Sequence, residues 1–267
     1  MSGITRTYIF NMTVLEAVIL GIVQGLTEFL PVSSSGHLLL AANFLGVGQL
    51  GLGFELVCHL GTLAAIIIVM RREVWDIARK PLAKPMRLIV TASVPTAIIA
   101  GLISVLFRDA LYGNMLVYCF IITGILLLCC GFAANKTAPK PLTYPHAAII
   151  GAAQGIAALP GLSRSGATIA AATILGYPRK QAARFSFLIS IPVIVGSSIV
   201  EIAFNGIGGG IDAPALIAAL ISSFISGLVA VKFMLKLLEK HSLDGFAIYL
   251  MLLSVFMLLN DYVLHIF

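Results

Sequence analysis

The sequence predicts an all-α integral membrane protein with about six transmembrane helices and two re-entrant helical hairpins, arranged as an inverted-topology repeat. Three observations predict it. The 267-residue chain is 60% hydrophobic and only 10% charged, with a mean hydropathy of +1.05. One water-soluble core cannot hide that much apolar surface. Long apolar stretches alternate with short basic ones, and a polar cassette occurs twice, at Gly21 to Gly46 and Gly151 to Gly176.

The elements follow in chain order. The first cassette, within 13–45, reads as an apolar arm, Pro31, a Ser/Gly loop and a second short apolar arm. Proline lacks an N–H and clashes with the preceding turn, so Pro31 breaks the hairpin open. Stretches 54–70, 88–106 and 115–134 follow, each long enough to cross ~30 Å of hydrocarbon at ~1.5 Å per residue. The second cassette, within 146–176, repeats the hairpin with Pro160, and stretches 185–204, 213–231 and 246–264 complete the chain. Gly206 to Gly210 is expected to be a short outer turn. The chain thus reads as a single membrane domain of two halves, 13–134 and 146–267.

Charge sets the expected orientation. Between Arg71 and Arg87 lie Arg71, Arg72, Arg79, Lys80, Lys84 and Arg87, against Glu73 and Asp76. The positive-inside rule assigns this segment to the cytoplasm. Counting onward puts Lys136/Lys140, Arg179/Lys180/Arg184 and Lys232/Lys236/Lys240 on the same side, provided residues 146–176 enter and leave by one face. Non-helical backbone at membrane depth is tolerated where protein or a water-filled cavity satisfies it. By the same count residues 13–45 dip in from the outer face, and an odd number of crossings inverts the second half. The site is then expected to face the outer side of the membrane.

The net charge of +6 is scattered through loops, which argues against a nucleic-acid partner. Cys58, Cys119, Cys129 and Cys130 sit in apolar runs without metal-ligand spacing and read as packing residues. The N-terminus carries no pattern of a removable signal peptide. Trp75 with its neighbouring arginines, and Tyr262 with His265, read as membrane-surface anchors. No span has an unambiguous dimerisation face, so monomer and homodimer both stay open.

The chemistry lies where the cassettes differ. They share Gly21/Gly151, Gln24/Gln154, Gly25/Gly155, Ser33/Ser163, Ser35/Ser165 and Gly36/Gly166. Yet Glu28 faces Ala158, His37 faces Ala167 and Ser34 faces Arg164. That division points to one composite site built from two halves. Each Ser-x-Ser-Gly loop precedes an apolar arm and offers amide N–H groups at a helix N-terminus, where phosphate binds well. Arg164 fits two phosphate oxygens with its planar fork, or pairs structurally with Glu28 to hold the hairpins together. Glu28 is a base or a carboxylate ligand for a divalent cation, one helical turn from Gln24. His37 suits proton transfer, attack on phosphorus or a core hydrogen bond. Glu55 and His59 share a helix face and read as hydrogen-bonding residues of the cavity wall, and Glu201 as a contact near the outer interface. The inventory fits phosphoryl transfer from a substrate with a long lipid tail.

The segments QGLTE with PVSSSGH, then PGLSRSGAT, with RFSFLISIP from Arg184 to Pro192, resemble the undecaprenyl-pyrophosphate phosphatase family, also known as bacitracin-resistance proteins. The resemblance covers nearly the whole chain. It implies hydrolysis of a polyprenyl pyrophosphate to its monophosphate, recycling the lipid carrier for peptidoglycan, with a divalent cation (Mg or Ca) as cofactor. Carried over by motif, the catalytic residues are Glu28, Ser34, His37 and Arg164. The substrate-binding residues are Gln24, Ser33, Ser163, Ser165 and Thr168, with Glu28 the candidate metal ligand. Gln24 stands where some members carry a second carboxylate, which weakens a two-carboxylate metal site. The nucleophile stays open among Ser34, His37 and water. A rival reading is a flippase or transporter of undecaprenyl phosphate or a related anionic lipid, since inverted repeats and a midplane arginine also suit a carrier.

Overall fold

The computed structural model describes residues 12–48, 50–106, 115–133, 140–205 and 211–260. The expected turn at Gly206 to Gly210, Lys136, and the anchors Tyr262 and His265 lie outside the described residues. Within them the chain forms eleven helices and no strand. These are α1 (Val14–Thr27), α2 (Ser34–Leu45), α3 (Leu52–Val69), α4 (Arg71–Arg79), α5 (Lys84–Leu106) and α6 (Leu116–Ala133). The second half continues with α7 (Tyr144–Ile156), α8 (Arg164–Ile174), α9 (Arg179–Asn205), α10 (Ala213–Lys240) and α11 (Asp244–Leu259).

Among the described residues three helices are long and apolar enough to cross a membrane: α5, α10 and the Arg179–Ala203 part of α9. Gly53–Val69 of α3 and the adjoining α4 count as a fourth if that pair, bent by 83°, is one span. The apolar stretches of α6 and α11 are shorter. The chain is therefore a multi-pass membrane protein, with helices over the parts of all six expected stretches that are described. The basic segment after α3 differs from the loop that charge alone suggested. Val74 and Ile77 fall on one side of a helical turn and pack against the core, and the charged residues of that turn face outward.

The two cassettes become paired helices, α1 with α2 and α7 with α8, each interrupted around its proline. A capping box starts α1: the Thr13 hydroxyl accepts from the Glu16 N–H at 3.2 Å, and the Glu16 carboxylate accepts from the Thr13 N–H at 2.7 Å. Ser33 and Ser163 cap α2 and α8, each hydroxyl accepting from the glycine N–H three residues on. The equivalence does not extend to the backbone. Ser163 is extended, whereas Ser33 has φ of 70°, a strained setting for a residue with a Cβ.

The first arm of each cassette packs on a long helix from the other half. Helix α1 crosses α10, and α7 crosses α5. Small residues allow both close approaches. A Cβ at Gly21 would fall 2.7 Å from the Ala219 carbonyl oxygen, and one at Gly25 would fall 2.8 Å from the Gly227 nitrogen. A Cβ at Gly151 would run into the backbone of Ala92. Each crossing carries an equivalent hydrogen bond, from the Ser226 hydroxyl to the Gly21 carbonyl at 3.4 Å and from the Thr96 hydroxyl to the Gly151 carbonyl at 2.8 Å. This packing fixes both Ser/Gly loops relative to the long helices α10 and α5.

Replacing Gly25 by Val should destabilise the protein by about 1–3 kcal/mol through overpacking. Gly101→Ala should leave stability unchanged or raise it, because nothing lies within 4 Å of its Cβ position. Melting in detergent, followed by loss of the monodisperse chromatographic peak, measures both; equal melting of Gly25→Val and wild type would refute the packing argument.

Candidate active site

Glu28 lies at the C-terminus of α1, where the helix dipole disfavours a negative charge, and its side chain is 1% exposed. Such a carboxylate must be compensated. Gln24, one turn earlier on α1, donates from Nε2 to Glu28 Oε2 at 2.8 Å. Ser34, the first residue of α2, donates from Oγ to the same oxygen at 2.7 Å. Arg164, the first residue of α8, pairs through Nη2 with Oε1. His59 of α3 adds a fourth neighbour, with Nε2 3.6 Å from Oε2.

The N-termini of α2 and α8 therefore meet at one carboxylate–arginine pair. Arg164 keeps 21% of its side chain exposed, so its fork has capacity beyond the Glu28 bond. A small cavity beside it is lined by the polar residues Glu28, Arg164, Ser165, Ser186 and Ser190. The Phe29 and Phe187 rings, edge to face with centroids 5.5 Å apart, also line it. Ser165 ties the loops together by donating to the Leu30 carbonyl oxygen at 2.9 Å.

The other predicted residues take different places. Ser33 and Ser163 are buried helix caps whose hydroxyls also contact Ser35 and Ser165, at 3.4 and 3.2 Å. The Ser163 N–H donates to the Thr123 hydroxyl of α6 at 3.2 Å, which pins the second loop. Thr168 is fully buried behind Arg164, with its hydroxyl 2.6 Å from that of Ser186.

His37 sits apart from the Glu28 cluster in its hydrogen bonding. Its Nδ1 lies 2.8 Å from the Ser33 carbonyl oxygen and its Nε2 lies 2.7 Å from the Tyr249 hydroxyl of α11. The carbonyl can only accept, so Nδ1 carries a proton, and in the neutral ring Nε2 accepts from Tyr249. Both line a groove of about 730 Å³ between α1, α10 and α11, whose walls include Leu26, Phe233 and Phe246.

Sequence reasoning missed two contributors, and it placed a third, His59, on the cavity wall without its partner Glu28. Tyr249 and Thr123 lie in apolar spans with no motif around them. His59 carried a visible signal in its spacing from Glu55, but its approach to Glu28 needs α3 to pack beside α1.

For a hard cation the site offers oxygen donors of the right class: the Glu28 carboxylate, the Ser34 hydroxyl and the amide oxygen of Gln24. The Gln24 oxygen is buried without a hydrogen-bond partner, while its nitrogen is held by Glu28. No group of three or more His, Cys, Asp or Glu residues that could hold a metal occurs among the described residues. The donor set thus fits a cation that shares its coordination with phosphate oxygens.

Residues 17–256 match the family described as bacitracin resistance protein BacA. The chain is 42% identical over 252 residues to an undecaprenyl-diphosphatase of Carboxydothermus hydrogenoformans, covering 91% of this chain and 96% of that protein. It is 38% identical over 260 residues to undecaprenyl-diphosphatase 4 of Bacillus thuringiensis strain Al Hakam, covering 96% and 100%. With an undecaprenyl-diphosphatase of Treponema denticola it shares 36% identity over 258 residues, 91% of this chain and 96% of the relative.

Proposed function

The chain belongs to the bacitracin resistance protein BacA family, and from that premise we propose that it is an undecaprenyl-diphosphatase. It hydrolyses undecaprenyl pyrophosphate to undecaprenyl phosphate and inorganic phosphate, returning the lipid carrier to peptidoglycan synthesis and so supporting bacitracin resistance. The observation that carries this reading is the convergence of two helix N-termini, an arginine and a serine on one buried carboxylate. Phosphoryl transfer depends mostly on positioning and charge stabilisation, and these groups provide both.

In this mechanism the pyrophosphate lies between the two Ser/Gly loops, and the free side of the Arg164 fork takes oxygens of the terminal phosphate. Ser34 Oγ, 2.7 Å from Glu28 Oε2, attacks the terminal phosphorus and passes its proton to Glu28. The new bond is Oγ–P; the bond that breaks is the anhydride P–O, whose electron pair leaves on undecaprenyl phosphate. Glu28 gives that proton to the departing undecaprenyl phosphate and is again a carboxylate. It then takes a proton from the water that attacks the phosphoserine and returns it to Ser34 Oγ as the Oγ–P bond breaks and phosphate departs. Engagement of both ring nitrogens of His37 favours Ser34 over His37 as nucleophile. His37 instead braces the Ser33 carbonyl in its strained conformation and, with Tyr249, borders the groove beside the site. A bound divalent cation, held by Glu28, Gln24 and Ser34, would neutralise pyrophosphate charge.

The halves 13–134 and 146–267 form an inverted-topology repeat in this reading, with both cassettes re-entrant and the site open to the outer face of the bacterial inner membrane. Supporting it, α1 and α7 have 14 and 13 residues, about 20 Å each at ~1.5 Å per residue and short of ~30 Å of hydrocarbon. Their equivalent glycine crossings with α10 and α5 point the same way.

Purified protein in detergent should release phosphate from undecaprenyl pyrophosphate, and Ser34→Ala should lower that rate at least ~10³-fold, as loss of an activated nucleophile does. Acid-quenched wild type should carry phosphate on Ser34. A Ser34→Ala rate near that of wild type would remove the serine mechanism, and no release by wild type would favour a carrier, which needs a sealed bilayer. For orientation, Leu82→Cys in a background lacking Cys129 should resist impermeant maleimide in intact cells and react after permeabilisation. Labelling in intact cells would reverse the topology.

A further inference from the structure

Away from the Glu28 site, an apolar slot of about 210 Å³ opens where α4, α5 and α9 come together. Ile77 of α4, Leu88 of α5, and Phe185 and Leu188 of α9 form part of its wall. Two polar side chains of α9, Gln181 and Arg184, share that wall. Gln181 is already committed: its Nε2 donates to the Lys140 carbonyl at 2.6 Å, and its Oε1 accepts from the Lys140 N–H at 3.3 Å. Arg184 keeps half of its side chain exposed: Glu73 makes only a loose ion pair with it at 3.8 Å, beyond hydrogen-bond distance, and its other acidic neighbour, Glu239, is held by Lys180.

The surroundings of the slot are basic. The segment from Arg71 to Arg87 carries six basic residues against two acidic ones. The 83° bend after α3 turns α4 across the end of that helix, so that Ile77 reaches the slot while Trp75 stays 58% exposed. Arg79 stacks over the Trp75 ring at 4.7 Å. A basic amphipathic helix with an exposed tryptophan has the character of an element lying at a lipid interface.

A free anion would not account for an apolar slot, and a neutral lipid would not account for an under-used arginine on its wall. We propose that the slot binds an anionic phospholipid of the surrounding leaflet, one acyl chain entering between α4, α5 and α9 and the phosphate resting on Arg184. The arginine fork supplies paired donors to phosphate, and the rim of arginines and lysines adds attraction to an anionic leaflet. This site is separate from the Glu28 cluster and stands whether or not the catalytic reading holds.

Native mass spectrometry of the full chain, with phosphatidylglycerol and phosphatidylcholine as equimolar probes, tests it. Wild type should retain phosphatidylglycerol over phosphatidylcholine by roughly tenfold, a preference of ~1.4 kcal/mol. Arg184→Gln should abolish the preference, and Ile77→Trp, which fills the slot without changing charge, should lower phosphatidylglycerol retention by a similar factor. Lys236→Gln, on exposed α10 surface, should keep the wild-type ratio. Both Arg184 and Ile77 lie near the surface, and the elution profile of each variant reports its folding. Wild-type ratios in Arg184→Gln and Ile77→Trp, or equal retention of the two lipids by wild type, would overturn the proposal. Displacement of the bound phosphatidylglycerol by undecaprenyl phosphate in Ile77-dependent fashion would also overturn it, assigning the slot to the substrate tail.

Discussion

The ion pair between Glu28 and Arg164 is the interaction on which the rest of the site depends. Neither charge is easily buried alone. A buried carboxylate at a helix C-terminus and a largely buried arginine are each costly, and breaking such a pair by removing one partner typically costs about 3–5 kcal/mol. Because the partners are 136 residues apart in sequence, the pair also decides which loop meets which. Once it forms, Ser34 is brought to the second oxygen of Glu28, Ser165 reaches the Leu30 carbonyl, and the two helix N-termini face a common cavity. The carboxylate is thereby oriented toward the hydroxyl that it would deprotonate.

Helix packing makes that meeting possible. Glycines at matching positions of the two cassettes let α1 press on α10 and α7 press on α5, each sealed by a hydroxyl donating to the glycine carbonyl. Close crossings of this kind substitute for the hydrophobic driving force that lipid cannot supply between helices. They bring the two loops together, and Thr123 then fixes the second loop through the Ser163 amide. Strain is concentrated at Ser33, whose φ of 70° is offset by the two hydrogen bonds that its carbonyl accepts from His37.

Much of this is legible in the amino-acid sequence because the cassette is polar inside an apolar chain. Gln24, Glu28, Ser34 and Arg164 stand out as residues that hydrocarbon would exclude, and the mismatched pairs Glu28/Ala158 and Ser34/Arg164 already indicate one shared site. His59, Thr123 and Tyr249 are harder to find. Thr123 and Tyr249 come from spans that carry no motif, His59 shows only its spacing from Glu55, and the role of each exists only after α3, α6 and α11 pack around the loops. Helix α4 was hidden for a different reason. Its charges gave the orientation signal of a loop, while the spacing of Val74 and Ile77 that makes it an amphipathic helix is only one turn long. For His37 the residue type left proton transfer, attack on phosphorus and a core hydrogen bond open, and only the fold shows its ring between the Ser33 carbonyl and the Tyr249 hydroxyl.

The most direct test is a double-mutant cycle on phosphate release from undecaprenyl pyrophosphate with Glu28→Gln, Arg164→Gln and the combined variant. Two residues acting as one unit should give strongly non-additive losses, each single change costing nearly as much as the pair. That result is predicted here. Losses that multiply in the double variant, or a wild-type rate in either single variant, would contradict a composite site built on this ion pair.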